Sequence, residues 1–274
     1  MLVVVTELGH SFAMDAVCDL IVFTDLDGTL IDHDTYEFTP ATEALNTLKN
    51  MSAGIVLASS KTTPEISKLR DKIGVTQWPA IVENGAGVLP PNIAGSPDPQ
   101  NYEVVRSALD SIPSDLRRLF SGFGDVSTQQ VAQMTGLSPN DAALAQTRHF
   151  SEPGHWSGTS EQRQAFLDAL AEKGVIGQQG GRFLTLSLGG NKVDQMRQII
   201  ADYKPRHTVA LGDAPNDIAM LEHADIGIII ANPASSPLPE LKTEKAGRII
   251  RTKEPGPAGW NLAILDVIDR LELK

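Results

Sequence analysis

The sequence predicts an α/β fold, with a doubly wound, Rossmann-like parallel sheet as its core and an inserted α+β cap domain. Three apolar runs, over residues 20–24, 55–58 and 208–211, each stop abruptly at polar residues. Runs of this length are typical of strands that are buried on both faces of a parallel sheet. Segments with helix-initiating signals lie between the runs, so strands and helices alternate along the chain, as they do in doubly wound folds.

Capping signals place the helices of the core. Thr39-Pro40 supplies an N-cap and a first-turn proline before a predicted helix over 41–51. Thr63-Pro64-Glu65 plays the same part before a helix over 66–73, which Gly74 ends. The alternation continues in the second half of the chain, where we predict helices over 191–203, 216–223 and 260–273 and a strand over 226–230.

The middle of the chain predicts a separate body. Residues 90–99 contain four prolines and interrupt the alternation, which is typical of a linker or an exposed loop. Beyond them the sequence predicts helices over 103–120, 127–135, 138–148 and 160–173, and strand-like segments around Phe150 and over 183–188. The predicted organisation is an N-terminal extension over 1–18, a core domain over 19–89 and 189–274, and a cap domain over 90–188.

The net charge of the chain limits the classes of partner that it is expected to bind. The chain has 34 acidic and 23 basic side chains, and its formal net charge is −11. Such a charge repels nucleic acids and anionic membrane surfaces, so neither is expected as a partner. A phosphorylated small molecule is also repelled at long range. Any phosphate site must therefore be local, built from a cation, a lysine or backbone N–H groups.

Cysteine usage and hydropathy predict the compartment. Cys18 is the only cysteine, which excludes an internal disulfide and a zinc cluster built on thiolates. We interpret Cys18 as a buried packing residue ahead of the first strand. No stretch approaches the ~20 apolar residues of a membrane span, and the start of the chain lacks the features of a secretory signal. The sequence therefore predicts a cytoplasmic protein, and it predicts no particular oligomeric state.

Oxygen-bearing side chains follow each apolar run. Asp25 and Asp27 follow the first run, Ser59 the second and Asp213 the third. The carboxyl ends of parallel strands meet at one edge of a sheet, so we expect these side chains to converge there. Carboxylates brought together repel one another unless a proton or a hard cation separates them, and Mg²⁺ prefers carboxylate oxygens. We therefore predict a Mg²⁺ site with Asp25 and Asp213 as direct ligands.

The same residues predict phosphoryl-transfer chemistry. An aspartate is able to attack phosphorus and form an acyl phosphate that water later cleaves, and we assign this role to Asp25. Asp27 is placed to protonate the leaving alkoxide and then to deprotonate the attacking water, while Gly28 permits the turn between them. Ser59 is expected to hydrogen-bond the phosphoryl oxygens.

Three further residues complete the predicted site. Lys192 opens the helix before the third apolar run, from where we expect it to supply positive charge to a phosphate dianion. Asp217, with Asn216, is expected to hold Lys192 or a water on the metal in position. The residues together predict a magnesium-dependent phosphatase of a small phosphorylated metabolite, acting through a phospho-aspartyl intermediate.

These residues resemble the four motifs of the haloacid dehalogenase superfamily of phosphatases, in the same order along the chain. The matching residues are Asp25-Leu-Asp27-Gly28-Thr29, Ser59, Lys192 and Gly212-Asp213-Ala-Pro-Asn216-Asp217. The resemblance spans the predicted core and implies a magnesium-dependent hydrolase. It also implies that Asp27 contributes its main-chain carbonyl to the metal.

The insertion between the second and third motifs resembles the large α/β cap of sugar-phosphate phosphatases in that superfamily. Several segments further resemble the mannosyl-3-phosphoglycerate phosphatase family, and they are Ser59-Ser-Lys61-Thr62, Glu83-Asn84-Gly85-Ala86, Arg148-His-Phe-Ser-Glu152-Pro153, Gly180-Gly181-Arg182-Phe183 and Gly256-Pro257-Ala-Gly259-Trp260. This resemblance implies hydrolysis of 2-O-(α-mannosyl)-3-phosphoglycerate, a sugar glycerate, to mannosylglycerate.

Candidate substrate contacts lie in the cap and in one turn of the core. Arg148 and Arg182 are placed to bind the glycerate carboxylate, because a guanidinium grips a carboxylate in bidentate fashion. Asn84-Gly85 is a strong turn signal, and we expect this turn to meet the substrate near the core edge. We interpret Lys61 mainly as a solvated residue at the entry to a helix.

Several alternatives stay open at the level of sequence. A broader sugar-phosphate phosphatase or a glucosyl-3-phosphoglycerate phosphatase has the same motifs. A phosphomutase differs only in returning the phosphoryl group to a sugar, and a catalytically silent binding module retains the fold. Dehalogenation is disfavoured, because displacement at carbon does not require the acidic metal site formed by Asp27, Asp213 and Asp217.

Overall fold

The first part of the core alternates strands and helices in the computed structural model, which describes residues 18–33, 35–93, 99–180 and 182–273. Its elements are β1 (Leu20–Thr24), α1 (Thr42–Asn50), β2 (Gly54–Leu57), α2 (Thr63–Ile73), β3 (Ala80–Val82) and β4 (Gly87–Leu89). Helix α2 begins with a capping box, in which Glu65 accepts hydrogen bonds from the main chain and the hydroxyl of Thr62. It ends at Gly74, whose φ of 77° is left-handed.

The cap contains helices and short strands. Its elements are α3 (Gln100–Asp110), α4 (Ser114–Arg117), β5 (Phe120–Gly122), α5 (Thr128–Thr135), α6 (Pro139–Gln146), β6 (Ser151–Trp156), α7 (Ser160–Ala171), β7 (Ile176–Gln179) and β8 (Leu184–Ser187). The predicted helix over 103–120 is wrong in its second half. Pro113 separates α3 from α4, because a proline disfavours the helical conformation of the residue before it, and Phe120 opens a strand.

The second part of the core returns to the central sheet. Its elements are α8 (Lys192–Tyr203), β9 (His207–Gly212), α9 (Ile218–His223), β10 (Ile226–Ala231), β11 (Ile249–Pro255) and α10 (Gly256–Arg270). Helix α10 begins four residues before the predicted start at Trp260. Strand β11 was not predicted. Most of its residues are partly or fully exposed, so it lacks the continuous apolar run of a central strand.

The central sheet has the strand order β11-β10-β9-β1-β2, and every neighbouring pair is parallel. Alternate residues of β1 point to opposite faces. Leu20 and Val22 belong to an apolar cluster with α1, α2 and α10, whereas Ile21 and Phe23 pack with α8 and α9. Helices thus cover both faces, which confirms the predicted doubly wound α/β core.

The cap sheet is antiparallel, with the order β5-β6-β8-β7. One of its faces packs against α3 and α7 through an apolar cluster that includes Leu184 and Leu186. The alternate residues Thr185 and Ser187 therefore lie on the other face. The boundaries 19–89, 90–188 and 189–274 stay a prediction.

The start of the chain contributes one described residue to the core. The predicted extension over 1–18 lies outside the described residues, apart from Cys18. Cys18 is buried ahead of β1, as the sequence predicts. Among the described residues, no helix combines the length and the hydropathy that crossing a membrane requires.

Candidate active site

The carboxyl ends of β1 and β9 meet at one edge of the central sheet. Asp25 follows β1 and Asp213 follows β9, and the main-chain N–H of Asp25 donates to the carbonyl of Leu211 at 2.9 Å. Gly28 has a φ of 82°, and a Cβ at this position would lie 2.6 Å from the side-chain nitrogen of Asn232. Glycine therefore allows the loop after β1 to pack closely against the loop after β10.

Three buried carboxylates converge at this edge. The side-chain oxygens of Asp25, Asp213 and Asp217 lie within 4.8 Å of one another. Asp217 comes from a short 3₁₀ turn after β9 and packs onto Gly212, where a Cβ would lie 2.5 Å from two of its side-chain atoms. These three residues form the carboxylate cluster, which offers oxygen donors of the kind that hard cations prefer.

Lys192 is buried beside the carboxylate cluster. Its Nζ lies 2.5 Å from Oδ1 of Asp25 and 2.8 Å from Oδ1 of Asp217, and its side chain is 1% exposed. Lys192 opens α8, whose N-cap Asn191 accepts a hydrogen bond from the N–H of Asp194. If all three carboxylates are counted as ionised, they and the ammonium of Lys192 have a formal charge of −2, which a divalent cation would neutralise.

Burial and pairing act in opposite directions on these charges. Burial raises the pKa of Asp25 well above its usual range, although Lys192 acts to lower it. Burial also raises the pKa of Asp213, against the lowering effect of hydrogen bonds from Asn232 and Thr29. For Lys192, burial lowers the pKa but the carboxylates of Asp217 and Asp25 raise it by more. Lys192 therefore stays cationic.

Neighbouring donors orient two of the carboxylates. Asp213 accepts hydrogen bonds from Thr29 Oγ1 at 2.8 Å and from Asn232 Nδ2 at 2.7 Å. Oδ2 of Asp217 accepts from the main-chain N–H groups of Asp213 and Ala214 at 3.2 and 3.1 Å. Because both side chains are fixed in this way, the carboxylate cluster is organised by the protein itself.

Asp27 lies further out and pairs with a lysine. Its Oδ2 is 2.9 Å from Nζ of Lys61, and the Asp27 side chain is 37% exposed. Ser59, just beyond β2, is buried, and its Oγ accepts the main-chain N–H of Lys61 at 3.2 Å. Since β2 pairs with β1, Ser59 and Lys61 lie at the same sheet edge as Asp25.

The Asn84-Gly85 turn also reaches this edge. Asn84 Oδ1 accepts a hydrogen bond from Asn216 Nδ2 at 3.0 Å. At Gly85, with φ of 94°, a Cβ would lie 2.3 Å from the main-chain nitrogen of Lys192. Asn216 was predicted to assist Asp217 in holding Lys192 or a water. In the structure Asp217 holds Lys192, whereas Asn216 bonds to Asn84.

A cavity of about 790 Å³ separates the core edge from the cap. Its core side is lined by Ser60, Lys61, Asn84, Ala214, Pro215 and Asn216, and its cap side by residues that include Arg148, Pro153, Gln178, Gln179, Arg182, Thr185 and Ser187. Ala214, the chain neighbour of Asp213, lines this cavity, although the three residues of the carboxylate cluster do not. The cap side of the cavity combines amide, hydroxyl and guanidinium groups with apolar side chains such as Phe123, Leu137 and Phe183.

The two arginines that were predicted to bind the substrate both line this cavity, but they differ in burial and in their partners. Arg148 is largely buried, with its Nε 3.2 Å from Glu83 and its Nη2 donating to Ser151 Oγ at 2.8 Å. Arg182 is exposed, and its guanidinium donates to the carbonyls of Met134 and Thr135 at 3.4 and 3.1 Å. Both of these partners are uncharged, so they leave the positive charge of Arg182 available to the cavity that this residue lines.

Sequence reasoning missed some residues of this site. Lys61 was interpreted mainly as a solvated helix-entry residue, yet it pairs with Asp27 and lines the cavity. Thr29, one donor to Asp213, received no assigned role, and Asn232, the other donor, was interpreted mainly as a turn residue. The position of Thr29 in the first motif was a usable signal. Asn232 follows an apolar strand, and that placement alone pointed to the same edge.

Comparisons with known proteins identify similar chains. A family model described as haloacid dehalogenase-like hydrolase matches residues 22–112 and 140–240. The sucrose-phosphatase of Synechocystis sp. PCC6803 has a similar structure, with 16% identity, a TM-score of 0.58, and coverage of 93% of this chain and 98% of that chain.

Two further solved structures are similar over almost their whole length. BT1666 from Bacteroides thetaiotaomicron, described among phosphatases of the haloalkanoate superfamily, has 15% identity and a TM-score of 0.60, covering 97% of this chain and 100% of that chain. TM0651 from Thermotoga maritima has 20% identity and a TM-score of 0.61, covering 92% and 97%. At these identities the likeness shows the shared fold.

Proposed function

The chain belongs to the family of haloacid dehalogenase-like hydrolases, and on this premise we propose that it is a phosphatase whose nucleophile is Asp25. One observation carries the proposal. Asp25, Asp213, Asp217 and Lys192 come from separate segments of the chain and meet in one buried cluster. Buried, mutually repelling carboxylates are costly to fold, so their assembly favours a role in binding and chemistry.

We assign a divalent cation, Mg²⁺, to this cluster, with Asp25, Asp213 and the main-chain carbonyl of Asp27 as its ligands. The net charge of −2 and the oxygen donors within 4.8 Å of one another fit a hard dication. When bound, the cation neutralises charge on the phosphoryl group and helps to orient it. Asp217 and Asn216 support the site from outside, Asp217 through Lys192 and Asn216 through Asn84.

The protein's own residues then account for both half-reactions. Asp25 attacks phosphorus, so that a bond from its carboxylate to phosphorus forms while the bond to the substrate oxygen breaks. For this step Asp27 must be protonated, and it gives that proton to the departing alkoxide and becomes a carboxylate. In the second half Asp27 takes a proton from the attacking water, and the aspartyl phosphate breaks down to Asp25 and inorganic phosphate. Lys192 and Ser59 stabilise the charge on the phosphoryl oxygens.

For the substrate we propose a sugar phosphate that carries a carboxylate, namely 2-O-(α-mannosyl)-3-phosphoglycerate. The volume of about 790 Å³ suits a molecule of this size. Polar groups of Gln178, Thr185 and Ser187 offer hydrogen bonds to hydroxyls, and Arg148 and Arg182 offer charge to the carboxylate. Asn84 and Gly85 border the phosphate end. Location in the cytoplasm and a cap over 90–188 are part of the same proposal.

The first test is phosphate release from p-nitrophenyl phosphate with Mg²⁺ and after chelation. We expect turnover that requires the metal and returns when Mg²⁺ is restored. Asp25→Asn is expected to reduce turnover below about one hundredth of wild type with an unchanged circular dichroism spectrum. Negligible phosphate release by the wild type under all conditions would contradict the phosphatase assignment, and an active Asp25→Asn enzyme, with deamidation excluded, would contradict the nucleophile.

The second test is a substrate panel that contains mannosyl-3-phosphoglycerate, its glucosyl analogue, sucrose phosphate and hexose phosphates. We expect the highest kcat/KM for a glycerate-bearing ester. A clear preference for simple hexose phosphates would contradict the proposed substrate and leave the phosphatase assignment standing.

A further inference from the structure

A buried carboxylate of the core reaches into a loop of the cap. Glu83 follows β3, and its side chain is fully buried. Its two oxygens accept main-chain N–H groups of His149, Phe150 and Ser151 at 2.8, 3.2 and 2.8 Å, and the Ser151 hydroxyl at 2.7 Å. Arg148 Nε lies 3.2 Å from the same carboxylate. Residues 148–151, here termed the cap loop, therefore surround a carboxylate that belongs to the core.

The turn that carries Glu83 adopts an uncommon backbone conformation. Glu83, Asn84 and Gly85 have consecutive φ values of 49°, 62° and 94°, a left-handed region that non-glycine residues rarely adopt. Hydrogen bonds hold the main chain in place: the N–H of Glu83 donates to the carbonyl of Lys61 at 2.9 Å, and that of Asn84 to the carbonyl of Ser59 at 2.8 Å. Strained turns that are held this firmly are typical of functional sites.

The main chain and the side chain of Glu83 thus have separate partners. Its main chain is bonded to the loop that carries Ser59 and Lys61, on the core edge of the cavity. Its side chain is bonded to the cap loop, which carries Arg148 on the cap edge. A single residue therefore ties the position of the cap to that of the core edge.

We propose that Glu83 is a positioning residue that sets the cap loop, and with it Arg148, over the core edge for substrates that fill the cavity. The inference rests on the proposed function and adds to it a residue that does not touch the reacting atoms. Loss of the carboxylate leaves three main-chain donors and a guanidinium without their acceptor, so the cap loop shifts. A small ester that contacts only the core edge is not affected by that shift.

Glu83→Gln tests the contacts of the Glu83 side chain alone. Glutamine has one acceptor oxygen, so its NH₂ group faces main-chain donors whichever way the amide turns. We expect kcat/KM for the best sugar phosphate of the panel to fall about tenfold or more, mainly through KM, while that for p-nitrophenyl phosphate changes by less than about threefold. A purely structural role predicts equal losses on both substrates, and that result would overturn the proposal.

Glu152→Gln is a matched control. Glu152 is a fully buried glutamate that accepts from Tyr102 Oη and the Gly124 N–H, and these partners all lie in the cap. We expect this variant to leave the ratio of the two activities as in wild type. If it shifts the ratio as far as Glu83→Gln does, the effect belongs to the cap in general and the proposal fails.

Hydrogen exchange supplies a readout that does not depend on activity. Exchange of the amides over 149–151 is expected to be faster in Glu83→Gln than in wild type and unchanged in Glu152→Gln. Unchanged exchange in Glu83→Gln would overturn the proposal even if wild type proved not to be a phosphatase. Should Glu83→Gln fail to fold, Ser151→Ala decides: it removes only the 2.7 Å hydroxyl contact, and an unchanged activity ratio there contradicts the proposal.

Discussion

At the residue scale, the site depends on one ammonium placed among three carboxylates. Lys192 contacts Asp25 and Asp217 directly, and Asp213 belongs to the same buried cluster. Burial alone disfavours every one of these charges. The energetic cost of removing one partner is therefore larger than the net stability that the pair provides.

Lys192→Met removes the charge while keeping most of the side-chain volume. We expect the free energy of unfolding to fall by about 3–5 kcal/mol, because the buried carboxylates lose their cation, and turnover to be lost. Urea denaturation at neutral pH, with and without Mg²⁺, measures the first effect. Lys245→Met is the control, since this lysine is 80% exposed and 3.9 Å from Glu240, and we expect a change below about 0.5 kcal/mol. Equal stability of the two variants would contradict the stabilising role of the Lys192 charge.

Sequence alone identified most of the candidate site residues and the contact of Asp217 with Lys192, but it missed other pairings. Asp25, Ser59 and Asp213 were found because each directly follows a buried apolar strand, a signal that is local in the sequence. The pairing of Asp27 with Lys61 spans 34 residues (61 minus 27), and the contact of Glu83 with the cap loop spans more than 60. Contacts of this kind depend on how loops fold back on one another, which no local pattern encodes.

At the scale of elements, close packing between a turn and a helix start fixes the position of Lys192. A Cβ on Gly85 would lie 2.0 Å from the Asn191 carbonyl carbon and 2.3 Å from the Lys192 nitrogen. Both are main-chain atoms that cannot move aside without moving α8. The same turn accepts the Gln195 side chain at the Gly85 carbonyl, at 3.0 Å.

Gly85→Ala is therefore expected to displace the start of α8. We expect the free energy of unfolding to fall by about 3 kcal/mol or more and kcat to fall with it, because Lys192 moves away from Asp25. Gly174→Ala is the control: its φ is also positive, at 76°, but no atom lies within 4 Å of its added Cβ. Only the backbone cost of about 1–2 kcal/mol is expected there, with kcat unchanged. Similar kcat losses in both variants would contradict the packing argument.

A second element-scale contact anchors the edge strand β11. Arg251 on β11 pairs with Glu244 at 2.7 Å and donates to the carbonyls of Leu238 and Pro239. The hydrogen bond from Arg251 lowers the pKa of Glu244 from 4.5 to about 2. A lowered folded-state pKa means that the ionised carboxylate stabilises the fold above pH ~4.5, and that this stabilisation is lost as the pH falls toward about 2.

Glu244→Gln is expected to lower the free energy of unfolding at pH 7 by about 1 kcal/mol or less, because solvent screens a pair this exposed. The difference from wild type is expected to shrink as the pH falls from 4.5 toward about 2, where wild-type Glu244 is itself protonated. Urea denaturation across this pH range measures the difference. A difference that grows on acidification would show that the sign of the linkage is wrong.

The same elements explain where sequence prediction worked and where it failed. Strands β1, β2, β9 and β10 of the central sheet have the continuous apolar runs of buried strands, and all four were predicted. The edge strand β11 and the cap strand β7 alternate or expose polar residues and were missed. Their strand conformation depends on a neighbouring strand, so it is a property of the tertiary fold.

At the scale of the whole molecule, the proposed function divides chemistry and substrate recognition between the core and the cap. The carboxylate cluster belongs to the core edge, whereas Gln178, Arg182 and Thr185 line the cavity from the cap. The net charge of −11 repels anionic substrates at a distance. Positive charges close to the site must therefore attract such a substrate. Of the two cap arginines that line the cavity, Arg182 is the exposed one.

Arg182→Ala tests that division between cap and core. We expect KM for the glycerate-bearing sugar phosphate to rise about tenfold or more with kcat little changed, because the lost hydrogen bonds to a carboxylate serve binding. Kinetics with p-nitrophenyl phosphate, which lacks the carboxylate, are expected to stay within about twofold of wild type. Arg163→Ala is the control, since Arg163 is an arginine of α7 that contacts Gln179 and does not line the cavity. A KM for the sugar phosphate that is equally unchanged in both variants would place the carboxylate-binding charge elsewhere, with Arg148 as the remaining arginine on the cavity wall.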